Sequence, residues 1–135
     1  MEDLASRLSH EHEQLRGRTV ALAGHLQAGE AHSAVAALDV LALNFRRLVR
    51  EQEERVLRVL EPMSGVGAVS RASAVRSEHR VLLDLLSVIE RSVTAGDLAV
   101  AHIDLREWLA TLDVHMKRER SLAKRLDAKR VRAKG

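Results

Sequence analysis

Apolar residues return at intervals of three and four along almost the whole chain, and no stretch keeps the in-out alternation of a strand. This pattern predicts four helices. The first spans about Asp3 to Gln27, with Leu4, Leu8, Leu15, Leu22 and Leu26 on one face, and the second about Ala31 to Leu60, with Ala42, Phe45, Val49, Val56 and Leu60 inward. The third, about Ala68 to Thr94, presents Val75, Leu82, Leu86, Ile89 and Val93. The fourth, about Leu98 to Val131, presents Leu105, Trp108, Leu112, Leu122 and Leu126. Ala28-Gly29-Glu30 and Ala95-Gly96-Asp97 read as tight turns, and Pro62 with Gly65 and Gly67 ends the second helix, because proline disfavours helix before itself.

The two tight turns stand 67 residues apart at their glycines, and Glu11-His12 stands 67 residues before Glu78-His79. The chain therefore reads as two repeated helical hairpins, neither able to bury its apolar stripe alone. Short connections make sequence neighbours antiparallel, so the expected architecture is an all-α, up-down-up-down four-helix bundle. A length of 135 residues suits one domain over 1–135, with about 127–135 fraying as a basic tail.

Charge refines this picture. Residues 117–135 carry nine Lys/Arg and two acids, whereas the rest carries thirteen and seventeen, so a mildly acidic body bears a basic end. Cations at a helix C-terminus complement its dipole, and Phe45 and Trp108 are the only aromatic residues, which leaves no stacking platform for nucleic acid. The opening MEDLASRLSHEHE lacks the basic-then-apolar pattern of a secretory signal, and the apolar runs are too interrupted to span a bilayer. The expectation is a soluble cytoplasmic protein with no membrane partner. With no cysteine, any metal must be held by histidine and carboxylate.

Titratable residues occupy places in the apolar stripes where a plain bundle would have leucine. His12 lies between Leu8 and Leu15, His79 between Val75 and Leu82, Glu53 between Val49 and Val56, and His115 with Glu119 continues the Trp108-Leu112 line toward Leu122. His12 and His79 each precede their turn glycine by 17 residues, roughly 25 Å of helix; Glu53, His115 and Glu119 follow theirs by 24, 19 and 23, roughly 28 to 36 Å. All five fall near one level, at the end of the bundle away from the short turns. Isolated buried charges are costly, so three imidazoles and two carboxylates at one level suit a divalent cation. The competing reading keeps the same residues metal-free, with the histidines hydrogen-bonded and the acids paired to Arg50, Arg118 or Arg120. A small rotation of the second helix would put Glu54 in the place of Glu53. His25, His32 and His102 lie near the short turns on three helices, a weaker zinc candidate, while His10 points away from His12.

These residues resemble the hemerythrin-like HHE cation-binding domain over about residues 4 to 126. Glu11-His12 is similar to the family's first-helix histidine, and REQEERVLRVLE to its second-helix motif, with Glu53 as the carboxylate. Ser77-Glu78-His79-Arg80 matches the third helix, and His115-Met116-Lys117-Arg118-Glu119 matches HxxxE in the fourth. Val49 stands where the second-helix histidine of the family would be, and Leu83 follows His79 by one turn, the shorter HHE pattern. The resemblance implies a non-haem iron site, di-iron or mononuclear, or another divalent metal, on His12, Glu53, His79, His115 and Glu119. It implies handling of O₂, nitric oxide or peroxide. No serine is tied by motif to a histidine and an acid, so the pattern favours a metal- or oxygen-binding protein over a hydrolytic enzyme. The alternative is a metal-free degenerate bundle that engages a protein partner.

Overall fold

The structure is a computed structural model that describes residues 3–60 and 66–134. Four helices follow one another: α1 (Leu4–Gln27), α2 (Ala31–Leu60), α3 (Val66–Thr94) and α4 (Leu98–Lys134). Asp3 caps α1, its carboxylate accepting a hydrogen bond from the Ser6 amide at 2.7 Å. Helix α3 begins two residues before the predicted start, and α4 runs three past the predicted end. The glycine at 67 is exposed and fits the first turn of α3 without a clash. Pro62, Gly65 and the inward-predicted side chains of Val56 and Leu60 lie outside the described residues.

Both short turns are built alike. Gly29 and Gly96 have φ of 72° and 79°, a left-handed conformation that a Cβ disfavours. In the first, the Glu30 amide donates to His25 O and the Gly29 amide to Leu26 O; in the second, Asp97 and Gly96 donate to Ser92 and Val93 in the same way. These paired bonds satisfy the last carbonyls of α1 and α3 and reverse the chain at once.

Each helix packs on two neighbours, α1 on α2 and α4, α3 on α2 and α4, which closes an all-α four-helix bundle. The main core includes Leu22, Leu41, Phe45, Leu82, Leu86, Ile89, Leu105, Trp108 and Leu112. Trp108 is fully buried, meets Phe45 edge-on at 5.2 Å, and donates its indole N–H to Leu82 O at 3.0 Å. Beyond the core, Val75, Leu122 and Leu126 form one small cluster, and Ala5, Leu8 and Ala123 another. Along the helices the buried polar residues His12, Gln52, His79, His115 and Glu119 come between core and end clusters. A buried polar layer thus interrupts an apolar interior. Among the described residues, no helix is long and apolar enough to cross a membrane.

Candidate metal centre

Helical periodicity points His79 of α3 and His115 and Glu119 of α4 into this layer, because each replaces a member of an apolar stripe. All three are buried, with 1%, 2% and 3% of their surface exposed. Their ligand-capable atoms lie within 4.8 Å of one another, and among the described residues no other group of three or more His, Asp or Glu does so. The imidazole rings meet at 4.7 Å with planes 67° apart. His79 Nε2 lies 2.9 Å and His115 Nε2 2.6 Å from the same oxygen, Glu119 Oε1.

The outward nitrogens are matched to two further carboxylates. His79 Nδ1 is 3.2 Å from Glu53 Oε1 on α2, and His115 Nδ1 is 2.5 Å from Glu78 Oε2 on α3. The second oxygen of Glu78 accepts from Arg118 at 2.5 Å. Glu53 is half-buried and Glu54 exposed, so the register of α2 is the one that brings Glu53 inward.

Each imidazole is therefore held between two carboxylates. A neutral imidazole has one N–H and can donate to only one of them; its other nitrogen then faces an oxygen lone pair to lone pair. Two conditions relieve this conflict: a second proton on each ring, or a cation between the Nε2 atoms and Glu119. The inner contacts already show imperfect pairing. His115 Nε2, though near Glu119 Oε1, is not aligned for a hydrogen bond, and Glu119 Oε2 has no partner among the described residues. Burial alone would push the His115 imidazole toward its neutral form, yet the Glu119 and Glu78 carboxylates outweigh it and raise its pKa above 6.5. Burial works against the Glu119 carboxylate too, but His115 and His79 hold its pKa down at about 2. In both groups proximity of opposite charge wins over desolvation.

His12 is buried in the same layer but turns elsewhere. Its Nε2 lies 2.7 Å from Asp113 Oδ1, and Asp113 also accepts from Arg16 at 2.6 Å. Burial raises the Asp113 pKa, but the Arg16 and His12 bonds more than offset this and leave it lowered. Of the five residues read from the sequence, four thus form one contact chain, Glu53 to His79 to Glu119 to His115, and His12 forms a separate pair. Of the histidines near the short turns, His25 faces the exposed Glu30 at 3.2 Å, and the three do not gather.

Pattern reading missed Asp113, Glu78 and Gln52. The 67-residue repeat carried a signal for the last. It places Gln52 in register with Glu119 and Leu48 in register with His115, and both are buried. Gln52 donates its amide to Glu11 at 3.3 Å, and Arg55 donates to the same carboxylate at 2.8 Å. The first hairpin thus has a neutral amide and an aliphatic side chain where the second has an anion and an imidazole. Ligand chemistry is concentrated in the second hairpin, with Glu53 reaching in from the first. The chain matches no protein-family model, no curated protein and no solved structure.

Proposed function

We propose that this chain is a hemerythrin-like bundle that binds one divalent transition-metal ion through His79 Nε2, His115 Nε2 and a Glu119 oxygen, with iron as the cation. The observation that carries this reading is the common aim of both Nε2 atoms at Glu119 while both Nδ1 atoms face a carboxylate. Metal-bound histidine ordinarily donates its other N–H to such an outer partner, which fixes the tautomer. Ligand atoms 2.0–2.2 Å from an ion stand roughly 3 Å apart at right angles; the His79–Glu119 spacing of 2.9 Å matches this, and the His115–Glu119 spacing of 2.6 Å would have to widen to admit the ion.

Charge supports the same reading. Three carboxylates, Glu53, Glu78 and Glu119, face one guanidinium, Arg118, across two imidazoles. With neutral rings the set carries two excess negative charges, which one dication cancels. His79, His115 and Glu119 would hold ferrous iron, which would supply electrons to a small oxidant such as O₂, nitric oxide or peroxide. The chain's own part is to hold the imidazoles in one tautomer and to exclude bulk water. Leu82, Leu112 and Met116 do this on one side of the layer, and Val75, Leu122 and Leu126 on the other.

A rival reading has its own observation. The same network is self-neutralising when each ring takes a second proton, which suits a metal-free bundle acting as an interaction module. Titration of the metal-free protein with Fe(II) under anaerobic conditions, with metal analysis after desalting, separates them. The metal reading expects one ion per chain, lost in His79→Ala and Glu119→Ala. Fewer than about 0.2 ions per chain, unchanged by His79→Ala, would leave the interaction module.

A further inference from the structure

Away from the metal centre, a groove of about 540 Å³ runs between α1 and α2. Its walls carry five arginines, Arg7 and Arg18 from α1 and Arg47, Arg55 and Arg58 from α2, with Glu11, Glu51 and Glu54 as the acids. The contacts of Glu11 with Gln52 and Arg55 fix how the two antiparallel helices face each other. That register sets Arg7 across from Arg58 and Arg18 across from Arg47. Two like-charged pairs therefore confront each other over the groove, separated along it by eleven residues, roughly 16 Å.

The acids offset these pairs only in part: Glu11 is committed to Arg55 at 2.8 Å, Glu51 lies 3.9 Å from Arg47, and Glu54 makes no ion pair among the described residues. Among the described residues Arg7, Arg18 and Arg58 make no ion pair, and Arg55 between the two ends keeps a buried Nη1 without a hydrogen-bond partner. Facing guanidinium groups repel unless an anion lies between them, and the planar fork of arginine suits phosphate oxygens.

We infer that the α1–α2 groove binds a phosphate-bearing small molecule with at least two phosphate groups, clamped by Arg7 with Arg58 at one end and Arg18 with Arg47 at the other. The groove has the volume of a small-molecule site and two walls, and none of Phe, Tyr or Trp lines it to stack a nucleobase. This favours a compact phosphorylated ligand over a nucleic-acid strand. The site does not depend on the metal reading.

The test is calorimetric titration of the metal-free protein with inorganic tripolyphosphate at constant ionic strength. Orthophosphate and a twelve-nucleotide single strand are run alongside. Tripolyphosphate should bind at one site per chain, more tightly than orthophosphate, and the double variants R7Q/R58Q and R18Q/R47Q should each weaken it by about tenfold or more. The double variant R91Q/R106Q, at exposed positions of α3 and α4 outside the groove, removes the same two charges, should leave binding unchanged and controls for loss of net charge. Circular dichroism confirms that each variant stays helical. Binding that follows ionic strength alone, or that R91Q/R106Q weakens as much as the clamp variants, overturns the proposal. So does tighter binding of the oligonucleotide than of tripolyphosphate, which would make the groove a nucleic-acid surface.

Discussion

His79 and His115 come from different helices, yet both direct Nε2 at one oxygen of Glu119, at 2.9 and 2.6 Å, with their rings 4.7 Å apart. Two imidazoles converging on a single carboxylate oxygen in a buried layer is an arrangement with a protonation problem. How it is relieved, by protons or by a cation, decides most of what can be measured.

Proton release is the most direct measure. If the dication replaces the second proton on His115, whose pKa is raised, then binding at about pH 6 should release up to about one proton from that ring. Calorimetry in buffers of different ionisation enthalpy counts the protons released. Release of none would mean that His115 is already neutral in the metal-free protein.

The dependence of stability on pH should change sign with metal. In the metal-free protein the raised His115 pKa contributes stability that is complete below 6.5 and lost as pH rises through the folded-state value. The Glu119 contribution is present above 4.5 and lost as pH falls toward about 2. Metal-free protein should thus be most resistant to urea between about pH 4.5 and 6.5 and weaken above that. Metal-loaded protein should do the opposite, losing stability below about pH 6 as the imidazole ligands are protonated and the ion leaves. Urea midpoints from pH 4 to 9, with and without chelator, give both curves.

The outer carboxylates should matter in proportion to their contacts. Glu78→Gln keeps the shape of the side chain but removes the anion 2.5 Å from His115 Nδ1, and metal affinity should fall about 10- to 100-fold. His12→Ala should change it by less than about threefold, because His12 is bonded to Asp113. A competitive chelator assay ranks the variants. A His12→Ala defect as large as that of His79→Ala would place His12 among the ligands.

One substitution should act in opposite directions at different glycines. Gly29→Ala and Gly96→Ala force a Cβ into left-handed backbone, φ 72° and 79°, and should each cost about 1 kcal/mol. Gly17→Ala and Gly24→Ala lie inside α1 with open space at the new Cβ, and should each add roughly 0.5–1 kcal/mol. Thermal unfolding followed by Trp108 fluorescence should resolve both signs as shifts of about 2–4 °C.

Removing the indole N–H should be felt next to the centre. Trp108→Phe keeps most of the buried ring but loses the bond to Leu82 O, three residues from His79, and should destabilise by about 1–2 kcal/mol. Trp108→Ala opens a cavity in the core and should cost about 3–5 kcal/mol. Denaturant unfolding followed by circular dichroism measures both.

The sequence by itself determined the four helices, both tight turns, the repeat, and which residues interrupt the apolar stripes. These follow from helical periodicity and from the few residues that tolerate left-handed backbone, both properties of neighbours in the chain. Helix ends were less legible, because the basic end of α4 continues as helix through Lys134, where no apolar stripe marks it. Only tertiary structure decided the partners: that Glu78, beside His79 in sequence, serves His115 instead, and that Asp113 takes His12. A period of 3.6 residues assigns a side chain to a face. Which atom of a facing helix it meets depends on axial register and ring rotation, and these are set by the packing of all four helices together.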